Sequence, residues 1–128
     1  MLKELSQKGI SSKKVLEAME LVPRHLFLDN AFLEIAYENK AFPIGCGQTI
    51  SHPYTVAFQS QLLDIKKGDK VLEIGTGCGY QTSVLSKLGA KVFSIERHKP
   101  LFIKTKALLK KMNIRAMVFY GDGYAGQK

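Results

Sequence analysis

The sequence predicts an α/β protein: a parallel sheet with helices on both faces, preceded by amino-terminal helices. Two observations carry that class. Between Lys70 and Tyr120, short apolar runs alternate with amphipathic stretches in the order strand, helix, strand, helix, strand. Connections this short imply right-handed crossovers between parallel strands. Before Phe42, by contrast, apolar residues recur at helical spacing.

Leu2, Leu5 and Ile10 open the helical part, and Val15, Leu16, Met19 and Val22 continue it. Ser12 is the expected cap of the second helix, because its hydroxyl can satisfy an orphan amide of the first turn. Pro23 ends that helix near Val22. A shorter helical piece is expected over 31–37. Pro43, Gly45, Gly47 and Pro53 make 42–53 read as an irregular loop. A helix over 54–65 follows, with Pro53 in its first turn and Ser51 or His52 as cap. Lys67-Gly68-Asp69 is a turn into a strand over 70–74. Gly75-Thr76-Gly77-Cys78-Gly79 then leads into a helix over 80–88 that Gly89 closes. A strand over 91–96, a helix over 101–112 and a strand over 116–120 complete the pattern, and Gly121-Asp122-Gly123 ends it. A doubly wound sheet of this kind has a second half, so the sequence reads as roughly the first three fifths of a protein, truncated after the third strand.

The bulk numbers exclude more than they assign. With 128 residues, 45% hydrophobic and 23% charged, the chain is an ordinary globular domain, neither disordered nor fibrous. Lys plus Arg is 19 against 11 acids, a net charge of +8. Only Arg24, Arg97 and Arg115 of those cations are arginines, and the lysines are scattered. Base reading favours clustered arginine, so nucleic-acid binding is not expected as the main function. Cys46 and Cys78 cannot make a disulfide framework, and His25 and His98 show no ligand spacing, so no metal is expected. The start lacks the basic-then-apolar run of a signal peptide, and the uncharged stretch 41–63 is broken by polar residues and proline. A soluble cytoplasmic protein without a membrane span is expected.

The glycine turn carries the chemistry. Gly75 and Gly77 let the chain turn sharply and let a ligand approach the backbone. Glu96 stands 21 positions after Gly75, the spacing at which a carboxylate accepts from ribose hydroxyls. Asp122 ends the third strand on the same edge, where it can accept from an adenine amine. Gly79 comes two positions after Gly77 rather than the three of a dinucleotide fingerprint, which favours the phosphate-free S-adenosylmethionine. Glu73, an acid inside an apolar strand, has two open readings: a structural salt bridge, or help in holding the amino acid end of that cofactor.

With these residues in view, the sequence resembles the protein-L-isoaspartate O-methyltransferase family. The resemblance is carried by Val22-Pro23-Arg24, by the run from Pro43 through Gly47-Gln48-Thr49-Ile50-Ser51 to Pro53, and by the run from Val71 to Thr82. Ser94-Ile95-Glu96-Arg97 and Gly121-Asp122-Gly123 complete it. The segment Gln48–Ser51 is the specific part, since the glycine turn alone would indicate only a methyltransferase.

The resemblance implies a Rossmann-like S-adenosylmethionine-dependent methyltransferase fold. It also implies methyl transfer to the free α-carboxylate of L-isoaspartyl residues in damaged proteins, releasing S-adenosylhomocysteine. Residues 1–53 would then be amino-terminal helices and substrate loop, and 54–128 the first half of the methyltransferase unit, in a single domain. Ser51 is the implied catalytic residue, with Thr49 and His52 as substrate contacts. The implied cofactor set is Glu73, Gly75, Thr76, Gly77, Gly79, Glu96, Arg97, Asp122 and Gly123. The partners are isoaspartyl peptides and proteins, and the full-length protein is expected to be a monomer. Methylation of another substrate, or a basic nucleic-acid-associated module, are the alternatives. The isolated chain is expected to be weakly active or inactive.

Overall fold

The structure, a computed structural model, describes residues 1–122. Helices α1 (Leu2–Gln7) and α2 (Lys13–Leu21) lead into 3-10 turns at Arg24–Phe27 and Asn30–Ile35. Strands β1 (Phe42–Gly45) and β2 (Gln48–Ile50) precede helix α3 (Pro53–Leu63). The remainder is β3 (Lys70–Ile74), α4 (Tyr80–Lys87), β4 (Lys91–Glu96), α5 (Lys99–Lys111) and β5 (Ala116–Tyr120).

Ser12 caps α2 as expected, its Oγ accepting the Val15 amide at 3.3 Å. The piece expected over 31–37 is a 3-10 turn, opened by Asp29, whose Oδ1 accepts from the Ala31 amide at 3.2 Å.

Residues 42–50 depart from the loop their prolines and glycines predict. They form an antiparallel hairpin, pairing Phe42 with Ile50, Pro43 with Thr49 and Gly45 with Gln48. Positive φ runs through its turn, at Gly45 (98°), Cys46 (54°) and Gly47 (69°), and positive φ at both central residues is what a type I′ turn requires. Cysteine is not a residue that announces such a turn. The proline is accommodated because the sheet has only two strands and its pairing is irregular between Pro43 and Gly45.

The main sheet runs β3-β4-β5, all parallel, so β3 is an edge among the described residues. Register sets Val71 beside Val92 and Ala116, and Leu72 beside Phe93 and Met117. The first row packs with Leu85 of α4, while Val84 and Leu109 of α5 join the core that includes Val118. Strands added in one direction through right-handed crossovers put both helices on the same face. The opposite face is bare among the described residues, leaving Leu72 at 52%, Ile74 at 58% and Met117 at 55% exposed. One core joins Leu5, Met19, Phe42, Ile50, Val56, Tyr80, Leu109 and Val118, so the segments before and after residue 53 fold against each other.

Candidate active site

A cleft of about 400 Å³ opens at the carboxyl ends of the strands. Its floor is Ile74, the last residue of β3, with Gly75 and Gly77 after it, and one wall is Ile95 to His98 at the end of β4. Asp122, just past β5, lines it, and Gln48 and Thr49 of β2 close it from the hairpin side. Crossover topology explains the location: every strand of a parallel sheet delivers its following loop to one edge.

Glu96 is 3% exposed and is held by two backbone amides. Its Oε1 accepts from Gly77 N and its Oε2 from His98 N, each at 2.8 Å. A carboxylate offers about four acceptor positions, so two remain for a ligand. The glycine loop is fixed from behind as well, because Thr105 Oγ1 of α5 donates to the Gly77 carbonyl at 2.5 Å.

The loop glycines divide by what surrounds them. At Gly75, φ +88°, an added Cβ would meet nothing within 4 Å. At Gly79, φ +89°, it would sit 2.8 Å from Thr105 Cγ2 and 3.1 Å from Leu109 Cδ2. Gly75 borders open cleft, whereas Gly79 caps α4 and packs against α5.

Glu73 has a hydroxyl environment and no ion pair among the described residues. Thr82 Oγ1 donates to its Oε1, as does Ser94 Oγ at 2.6 Å, and Thr76 Oγ1 lies 2.5 Å from Ser94 Oγ. Burial nonetheless raises the Glu73 pKa above the usual carboxylate range, outweighing those two hydroxyl donors. The salt-bridge reading of this acid is therefore replaced by a hydroxyl cluster that anchors the start of the glycine loop.

Of the residues expected from sequence, the cleft brings together Thr49, Gly75, Gly77, Glu96, Arg97 and Asp122. Glu73, Thr76 and Gly79 stand behind its floor, and Gly123 lies outside the described residues. Ser51 and His52 are exposed, one and two positions beyond the end of β2. At the amino end of α3, His52, one of the two expected candidates, occupies the cap without a side-chain bond, and Asn39 Oδ1 accepts from the Tyr54 amide at 3.0 Å. Gln48, Ile74, Ile95 and His98 are cleft residues that sequence reasoning passed over. Adjacency to Thr49 and Glu96 was the available signal. Cys78 is half-buried against the core, and burial pushes its thiol up to about 11.

The sequence profile described as protein-L-isoaspartate(D-aspartate) O-methyltransferase matches residues 1–128, the whole chain.

The chain belongs to this family.

Among its relatives, protein-L-isoaspartate O-methyltransferase of Flavobacterium psychrophilum is 62% identical over 123 residues, covering 95% of this chain and 58% of the relative. The protein of the same name from Christiangramia forsetii is 58% identical over 127 residues, covering 98% of this chain and 60% of the relative. The chain thus spans under two thirds of the length of these family members. A solved protein-L-isoaspartate O-methyltransferase superposes with a TM-score of 0.86 at 28% identity, over 96% of this chain and 41% of that one. A Plasmodium falciparum structure, a putative protein-L-isoaspartate O-methyltransferase in complex with S-adenosyl-L-homocysteine, shares the fold with a TM-score of 0.83 at 24% identity, over 99% of this chain and 64% of that one.

Proposed function

We propose that this chain is the cofactor-binding and substrate-loop part of an enzyme that methylates the α-carboxylate of L-isoaspartyl residues, using S-adenosylmethionine. One observation carries the reading: Gln48 and Thr49 of the hairpin line the same cleft as Gly75, Gly77, Glu96 and Asp122. The residues suit an adenosine cofactor. Open space over Gly75 admits a ligand against the backbone, and Glu96 keeps acceptor positions for ribose hydroxyls after its two amide bonds. Asp122 lines the same cleft with Arg97 and His98, and its carboxylate is the acceptor we assign to the adenine amine.

When bound, S-adenosylmethionine supplies an electrophilic methyl group on a sulfonium. The chain's own work is then alignment. An isoaspartyl carboxylate is already nucleophilic and needs no general base, so the hydroxyls of Thr49 and Ser51 serve to hold and orient it. Ile74 and Ile95 line the cleft with apolar surface that excludes water, where opposite charges are neutralised. The reaction is the repair step of a damaged protein, and the partners are isoaspartyl peptides and proteins.

A label-transfer assay with paired Asp and isoAsp peptides tests this in the full-length protein. Transfer to the isoAsp peptide alone is expected, and equal or absent transfer to both ends the proposal. Thr49→Ala and Ser51→Ala are expected to lower kcat/KM for the peptide by about 10-fold or more while sparing cofactor affinity. The 128-residue chain alone should bind cofactor weakly and turn over little, because among the described residues the sheet face carrying Leu72, Ile74 and Met117 is exposed and β3 is an edge. Calorimetry giving micromolar affinity for that chain contradicts this. No helix among the described residues is long and apolar enough to cross a membrane.

A further inference from the structure

We infer that Arg24 is a positioning residue for methyl transfer, a buried clamp that sets the substrate hairpin against the cofactor loop. The inference rests on the reading just proposed. Arg24 is 0% exposed, which is rare for a guanidinium and requires partners that repay its desolvation. Its hydrogen-bond partners are three backbone carbonyls, all met by Nε and Nη2, while Nη1 is buried without one. Nε donates to Ala36 O at 2.7 Å, and Nη2 donates both to Lys40 O at 3.0 Å and to Ser51 O at 2.9 Å.

The choice of carbonyls matters. Lys40 lies just before β1 and Ser51 just after β2, so a single nitrogen ties together both ends of the hairpin. The same guanidinium lies 4.8 Å from the ring centroid of Tyr80, close enough for a cation–π contact. Tyr80 is the first residue of α4 and follows Gly79, the last glycine of the cofactor loop. Arg24 thereby joins the frame of the hairpin to the helix that carries the loop.

Ile44 also reaches from the hairpin to the glycine loop, its Cδ1 lying 3.3 Å from where a Gly77 Cβ would be. Only a planar fork can serve several carbonyls and lie on a ring at once, so lysine is not equivalent here. Arg24 is absent from the cleft lining, and so acts on the reaction through Thr49 and Ser51 and not on the reacting atoms.

The test compares Arg24→Met and Arg24→Lys in the full-length protein, reading peptide kcat/KM by label transfer and S-adenosylhomocysteine affinity by calorimetry. Misplacing the hairpin by about 1 Å should cost R24M about 100-fold in peptide kcat/KM. R24K should recover part of that loss, and both should keep product affinity within about twofold of the parent, since the cradle residues are untouched. Product affinity falling in step with peptide kcat/KM would show a merely structural role and overturn the inference, as would kcat/KM that does not change. If neither variant folds, Tyr80→Leu, which removes the ring beside the guanidinium and orphans no carbonyl, decides between the same two outcomes. A parent that methylates no isoaspartyl peptide ends the functional reading. In that case amide exchange still reads the clamp, with faster exchange over 48–51 at unchanged exchange in β4 supporting it and equal exchange overturning it.

Discussion

Replacing Gly79 with alanine separates a glycine that the fold needs from one that a ligand needs. Gly79 has φ +89°, and an alanine Cβ would lie 2.8 Å from Thr105 Cγ2 and 3.1 Å from Leu109 Cδ2. Neither neighbour can yield cheaply. Thr105 is held by its bond to the Gly77 carbonyl, and Leu109 is 2% exposed in the core. Left-handed backbone costs an alanine about 1 kcal/mol, and the overpacked contact costs about 2 kcal/mol. Unfolding entropy of about 2.1 cal/mol/K per residue converts that total to a fall of about 10 °C in melting midpoint for 128 residues. Gly75→Ala meets nothing within 4 Å, so it should lose only the backbone share, about 4 °C. Its effect should appear instead as weaker binding of S-adenosylhomocysteine. Thermal denaturation of the two variants of this chain beside the parent, with calorimetry on the same substitutions in the full-length protein, makes the measurement. Gly79→Ala melting within about 2 °C of the parent would refute the packing argument. Gly75→Ala binding as the parent does would refute the assignment of that glycine to the cleft.

Three further outcomes are expected. A raised Glu73 pKa means the folded state holds that proton more tightly than the unfolded state, so Glu73 costs stability at neutral pH, and the cost fades as pH falls from the raised folded-state pKa into the ordinary carboxylate range and is gone below it. Glu73→Gln should therefore raise the urea midpoint at neutral pH, with the gap to the parent closing in acid; a gap that widens in acid contradicts the sign. Thiol labelling at neutral pH should show one fast and one slow cysteine, since Cys46 is exposed while Cys78 is pushed up to about 11. Two fast thiols would mean that Cys78 is not packed as described. Cys46→Asn relieves a left-handed residue in the hairpin turn, φ 54°, and should stabilise by a few tenths to about 1 kcal/mol in urea denaturation. Destabilisation would argue against the type I′ geometry.

Much of the candidate site was legible from residues alone because its parts are local. Strand, glycine turn and helix follow in unbroken order from Lys70 to Lys87, and the acid at 96 ends the next strand. Their pairing needs no knowledge of distant segments beyond the rule that parallel strands present their carboxyl ends together. The hairpin was not legible, because prolines and a cysteine disguise a turn whose identity lies in backbone angles. Arg24 was visible only as part of a short motif, since its three carbonyl partners, at 36, 40 and 51, are united by packing and not by sequence spacing.

Sequence by itself therefore determined the α/β class, the order of elements, the cap at Ser12, the position of the glycine turn and the family. Tertiary structure decided which glycine borders the open cleft and which packs against α5, that Glu73 meets hydroxyls and not a cation, and that both helices share one face of the sheet. It also decided how the hairpin is held over the cleft. The division has a physical cause: periodicity and turn chemistry act over a few residues, whereas burial, desolvation and the hydrogen bonds of a buried guanidinium depend on whichever distant groups the fold brings within about 3 Å.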